Sequence, residues 1–207
     1  MKTYILLVFS LLGIAMFSHA QPTQVDKNLV VEDDLLTEEK LRDFQTLTQQ
    51  KVTEFQRYLA IISDPTQSDE VRELAIENAE KLFLPGAAMQ VGTVKKQTLI
   101  QEYPLSIYLR RLKNLEKKYF DVSITFYDLA MVGDWEKTQT GYVTTATYFQ
   151  HFKGKGKDGK IAYEDKTIKH LDVDLRNRRD PFYEEHRWTV LLGNIRVAEV
   201  QPKKSAL

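Results

Sequence analysis

Residue types that could do metal or redox chemistry are sparse in this chain. Four histidines occur, none in an H-x-H, H-x-x-H or H-E-x-x-H arrangement, and there is no cysteine. A zinc site needs three or four close nitrogen, sulfur or oxygen ligands. His151, His170 and His186 fall on different predicted strands or loops, so no metal is expected. Asp172 and Asp174 share a face of one predicted strand but lack the loop of a calcium site. The stretch Gly154-Lys155-Gly156-Lys157-Asp158-Gly159 matches G-x-G-x-x-G letter by letter. A dinucleotide fingerprint needs a strand before it and a helix after it, so that the pyrophosphate meets a helix N-terminus. A strand pattern follows here, and no kinase catalytic-loop or D-F-G motif lies downstream. The segment reads as a hairpin, and no cofactor is expected. No serine sits in G-x-S-x-G, and Ser68 reads as a helix cap.

The first residues carry a different signal. Lys2 precedes an apolar run from Tyr4 to Phe17, and Ser18-His19-Ala20 puts small residues before Gln21-Pro22. These are the parts of a cleaved secretory signal, and the run is short of the roughly 20 residues a membrane span requires. Residues 1–20 are therefore expected to be removed, leaving a periplasmic or secreted protein with no transmembrane segment. A lipid-anchored bacterial protein would carry cysteine where Gln21 stands. Without disulfides the fold must rest on its own core, and a chain this long can bury about 70% of its unfolded surface. Charge is balanced, 29 Lys+Arg against 29 Asp+Glu, so the basic excess of a nucleic-acid binder is missing. The basic clusters at 153–160 and 176–179 read as solvated turns.

Residues 21–36 lack periodicity and are expected to form a flexible leader, and residues 201–207 a tail. Between them, 37–200 reads as one α+β domain. Thr37, followed by Glu38 and Glu39, caps a long helix. Leu41, Phe44, Thr48, Val52, Phe55, Leu59 and Ile62 line one face of it, and Asp64-Pro65 ends it. Ser68 caps a second helix, with Val71, Leu74, Ala75, Ala79, Leu82 and Phe83 as its apolar face and Pro85-Gly86 as its stop. Residues 87–100 read as a weak strand. A third helix over 104–118 buries Leu105, Tyr108, Leu109, Leu112 and Leu115. From Phe120 the period drops to two, predicting strands over 120–132, 140–153, 161–175 and 187–200. Asp158-Gly159 supplies the hairpin turn, residues 176–185 a loop, and Gly193 a bulge. The expected core includes Phe55, Leu59, Leu74, Leu112, Ile124, Phe126, Val190 and Leu192. Three N-terminal helices packed on a twisted, mainly antiparallel sheet bury every one of these stripes.

That element order, the long C-terminal strands and Leu191-Leu192-Gly193-Asn194-Ile195 resemble the nuclear-transport-factor-like superfamily. This is the ketosteroid-isomerase-like, cone-shaped or cystatin-like roll, and the chain also looks like exported members of that superfamily from Gram-negative bacteria. The resemblance implies a pocket between sheet and helices, which in family enzymes holds an Asp, Tyr or His as acid or base. Asp128 shares the alternation of Phe126 and, with His151, is the candidate for such a role. An inward Asp in apolar surroundings would have a raised pKa and could act as a base. Tyr127, Tyr148, Phe149 and Trp188 are the candidates for the aromatic mouth that meets a ligand or partner. Two functions are open. One is a non-catalytic binding or accessory protein of the bacterial envelope, for an envelope protein or a small apolar ligand, as a homodimer or part of a larger assembly. The other is a small isomerase or dehydratase.

Overall fold

The computed structural model describes residues 35–92, 100–179 and 186–201. The expected signal segment, all of the leader before Leu35, and the tail from Pro202 lie outside them.

Helix α1 (Glu38–Ser63) starts where Thr37 accepts a hydrogen bond from the Lys40 amide, and it ends at Asp64. The Asp64 carboxylate accepts from the Thr66 amide and hydroxyl, at 2.9 and 2.7 Å. These bonds hold its pKa below the ordinary value. Helix α2 (Asp69–Lys81) starts at Ser68, whose hydroxyl accepts from the Val71 amide. Both caps satisfy amides that a helix start leaves without partners.

The buried face of α2 differs from the expected one. Arg72, Ala75, Ile76 and Ala79 are buried, whereas Val71 and Leu74 are 44% and 55% exposed. At about 100° per residue, Leu74 lies roughly 160° around the helix from Arg72. Apolar character pointed to Leu74, but the inward position belongs to an arginine whose partners are supplied by the fold. Its guanidinium donates to the Ile62 carbonyl at 2.9 Å, to Glu116 at 2.7 Å and to the Lys113 carbonyl. Breaking such a buried set by removing one member is costly, because the remaining groups are left unsatisfied.

The weak strand expected over 87–100 contains β1 (Ala88–Val91), and a second strand just beyond it, β2 (Gln101–Pro104), pairs with β1 antiparallel. Helix α3 (Leu105–Lys113) follows and tightens into a 3-10 turn over Asn114–Lys117. Strands β3 (Asp121–Val132), β4 (Glu136–Lys137), β5 (Gly141–Lys155), β6 (Ile161–Arg179) and β7 (His186–Gln201) complete the chain. β6 runs through the first part of the expected loop. The sheet order is β2-β1-β7-β6-β5-β3, with β4 on β5. Among the named strands every described pairing is antiparallel except the short contact of β1 with β7 at Met89 and Ile195, and the isolated bridge Phe83–Leu192 is also parallel. The fold class is therefore α+β, three helices on a mainly antiparallel sheet.

Gly159 turns the β5–β6 hairpin at φ 74°. The bulge falls at Gly193: Leu171 faces Ile195 while Val173 faces Leu192, so Gly193 and Asn194 together oppose Asp172. Alternation then decides which side chains enter the core. Tyr142, Ala146 and Tyr148 of β5, Leu171, Val173 and Leu175 of β6, and Val190, Leu192 and Ile195 of β7 are buried. They meet Val52, Phe55, Leu59 and Ile62 of α1, and Leu105, Leu109 and Leu112 of α3, in one cluster. Each such side chain, when fully buried, contributes about 1.5–3 kcal/mol. Ile124 packs on this cluster while half-buried; the side chain of Phe126 is outside the described residues. Phe120, expected to open the apolar face of β3, is 69% exposed. β3 begins one residue later, at Asp121. Among the described residues no helix is long and apolar enough to cross a membrane.

Candidate functional site

The inner face of β6 changes character along its length. Leu171, Val173 and Leu175 belong to the core. The same parity continued toward the hairpin carries Lys169, Thr167, Asp165 and Tyr163 inward. Their Cα partners on β5 are Tyr148, Gln150, Phe152 and Gly154. Helix α3 crosses above. Its three buried residues, Leu105, Leu109 and Leu112, anchor it, and Tyr108, Arg111 and Leu115 stand beside them at helical spacing. Helix and polar half-sheet do not close on one another. Between them lies a cavity of about 600 Å³, bounded also by Val91, Gly92, Tyr103, Lys118, Tyr119 and Ala162.

Aromatic rings shape this space. Tyr119 meets Phe152 edge-on at 6.1 Å, and Phe152 meets Tyr163 at 5.7 Å. Gly154 makes room for the first of these: a Cβ there would lie 2.8 Å from the Tyr119 ring. The Arg111 guanidinium lies over the Tyr103 ring at 4.2 Å, and the Lys118 amine over Tyr119 at 5.2 Å. Such cation–π contacts fix otherwise mobile side chains.

Buried polar groups line the floor. Asp165 is 7% exposed, and Lys169 is 3% exposed. The Tyr163 hydroxyl donates to Asp165 at 2.5 Å and the Thr167 hydroxyl at 3.3 Å. Burial nonetheless raises the Asp165 pKa above that of an ordinary carboxyl, against these bonds and the Lys169 charge. Burial pushes the Lys169 amine down from 10.5 to about 8, opposed by the charge of Asp165. The amine donates to the Gln90 carbonyl. Burial, aided by Asp165, lifts the Tyr108 hydroxyl far above its ordinary range, and Tyr148 is raised by burial and by Tyr108. The Gln150 Oε1 is buried with no hydrogen-bond partner among the described residues. An apolar space with a few convergent polar groups and shifted pKa values is the usual form of a small-molecule site.

The sequence-derived candidates occupy other places. Tyr148 faces inward next to this floor but is packed in the core. Phe149 and His151 have the opposite parity on β5 and face away; His151 Nε2 lies 2.7 Å from Glu164 Oε1. Trp188 stacks obliquely on Tyr142 at 5.7 Å, beyond Leu175 and therefore at the other end of the sheet from Lys169. Tyr127 pairs with Phe149 through the backbone, and Asp128 falls in the register shift that follows. The side chains of Tyr127 and Asp128 are outside the described residues. None of Tyr148, Phe149, His151 and Trp188 lines the cavity. The residues that do, Asp165 and Lys169 above all, carried a legible signal: they continue the alternation of Leu171, Val173 and Leu175. Among the described residues no group of three or more His, Asp or Glu could hold a metal.

No protein-family model matches the chain, and no curated protein matches it. Three solved structures are similar to it at low sequence identity. One is a nuclear-transport-factor-like (NTF2-like) protein of unknown function from Exiguobacterium sp. 255-15, with 10% identity over 72% of this chain and 97% of that one, at a TM-score of 0.35. Another, from Catenulispora acidiphila, has 13% identity over 75% and 94% of the two chains, at a TM-score of 0.40. A third, from Kribbella flavida, has 11% identity over 75% and 95%, at 0.36.

Proposed function

We propose that this chain is an exported, non-catalytic binding or accessory protein of the bacterial envelope, and that its ligand is a small, largely apolar molecule. The observation that carries this reading is the cavity of about 600 Å³ between α3 and the polar half of the inner sheet. Its walls are chiefly aromatic and aliphatic, and its volume suits a compact organic ligand. Export rests on Lys2, the apolar run and Ser18-His19-Ala20. Filling the cavity tests the reading. Leu115 is half-buried on its wall, and Leu115→Trp should weaken binding of a naphthalene-based fluorescent probe at least tenfold while the protein stays folded by circular dichroism. Probe binding that is unchanged in Leu115→Trp would remove the cavity from the explanation.

The second reading, a small isomerase or dehydratase, is favoured by one observation. Asp165 is a buried carboxyl with a raised pKa, held by the Tyr163 hydroxyl inside a largely apolar space. A carboxyl so placed suits proton transfer at a carbon next to a carbonyl. In this reading Asp165→Asn abolishes turnover of a carbonyl or hydroxy substrate while the ligand still binds. Turnover that survives Asp165→Asn would remove Asp165 from the chemistry, and a screen in which no such substrate reacts would count against the enzyme reading.

A further inference from the structure

Four charged side chains border the cavity, and three are cationic: Lys169, Arg111 and Lys118 against Asp165. Their placement is graded. Lys169 sits on the floor, 3% exposed. Arg111 and Lys118 are exposed on the opposite wall, each held over an aromatic ring. The floor amine is the unusual one. Among the described residues no carboxylate lies within ion-pair distance of Lys169, and its hydrogen bond goes to a neutral carbonyl, that of Gln90. Burying an ammonium without an anion is unfavourable, and a stably folded chain gains nothing from it in the absence of a ligand. Asp165 stands one step away on the same strand face and its charge reaches the amine, but the two make no ion pair; the Asp165 carboxylate accepts from Tyr163 and Thr167 instead.

Resting on the cavity reading above, we propose that the ligand is an apolar or aromatic carboxylic acid, with its carboxylate at the Lys169 amine and its body along Leu112, Leu115, Phe152 and the tyrosine rings. One buried amine complements a single negative charge. A phosphate monoester, with up to two charges and three acceptor oxygens, would want more donors than this floor offers. Arg111 and Lys118 add a positive potential at the wall facing the floor, which favours entry of an anion over a cation.

The experiment uses three probes that share one body: 2-naphthoxyacetate, 2-(2-naphthyloxy)ethanol and 2-(2-naphthyloxy)ethylamine, titrated by calorimetry into the purified protein near neutral pH. A hydrogen bond to a charged group is worth about 1.5–3 kcal/mol, so the acid should bind roughly 10- to 100-fold tighter than the alcohol, with the amine weakest. Lys169→Met should abolish the acid's advantage over the alcohol. Arg111→Gln, a change at an exposed position, should reduce that advantage without removing it. An alcohol or amine that binds as tightly as the acid would overturn the inference and leave the cavity reading standing. An acid advantage that persists undiminished in Lys169→Met would also overturn it, by placing the carboxylate elsewhere. Binding of none of the three would overturn both.

Discussion

Replacing Lys169 with methionine should change the stability of the protein in a way that depends on pH. The amine is buried, and its pKa falls from 10.5 to about 8 on folding. The sign follows from proton binding in the two states. At pH values below the folded value both states carry the charge, and the cost of burying it is present in full. From about 8 up to 10.5 the unfolded chain binds more proton than the folded one, so stability climbs with pH. Beyond the unfolded value both states are neutral and the cost is gone. At about 1.4 kcal/mol per pK unit the full span is worth roughly 3 kcal/mol. Methionine carries no charge and escapes this term, but it leaves the Gln90 carbonyl without its donor, which costs about 1–3 kcal/mol. It also removes the cation that helps Asp165 ionise. Near pH 7 the variant should therefore be as stable as the parent or modestly more stable. Near pH 10 it should be less stable, and the gap between the two proteins should move by roughly 2–3 kcal/mol between those conditions. Urea denaturation of both proteins at each pH measures the gap, and the shared tyrosine titrations largely cancel in the difference. A gap that moves by less than about 0.5 kcal/mol would show the amine hydrated in the folded state. The dry floor on which the acid-binding inference depends would then be lost.

Other changes probe the frame and the export signal. Leu112→Ala should cost about 2–5 kcal/mol in the same denaturation assay, since a fully packed leucine leaves a cavity behind; a loss well below 1 kcal/mol would put α3 outside the core. Arg72→Met should cost about 3–5 kcal/mol by stranding Glu116 and two carbonyls, whereas Leu74→Ser, at an exposed position, should stay within about 0.5 kcal/mol of the parent. N-terminal sequencing of native material should begin at or near Gln21, and a start at Met1 would refute export by a cleaved signal.

Much of the architecture was legible from local pattern. The Thr37 and Ser68 caps, the Asp64-Pro65 stop, the Asp158-Gly159 turn and the Gly193 bulge all stand where residue type predicted them. Each depends on near neighbours: a side chain capping its own helix, or a glycine supplying a positive φ. The change of period from 3.6 to two near residue 120 likewise marks where helices give way to strands, because it reports which side of each element meets the core. Local pattern failed where the inward position belongs to a polar residue. Arg72 displaced Leu74 because its guanidinium finds Ile62, Lys113 and Glu116 on other elements, and those partners are 10, 41 and 44 residues away in sequence.

The site divides in the same way. That Asp165, Thr167 and Lys169 share a face with Leu171 and Leu175 is written in the strand's alternation, and so is the outward parity of Phe149 and His151. What the one-dimensional pattern could not supply is the distance between the polar half of that face and α3. Leu109 and Leu112 join the helix to the core, while Tyr108, Tyr119 and Phe152 line the cavity beside them, and only three-dimensional packing determines whether such a gap fills or stays open. The chain's residue types thus set which side chains face inward. The tertiary structure alone decided that an aspartate and a lysine would be buried around a largely apolar cavity, because burial and the pKa shifts it causes depend on neighbours from separate elements.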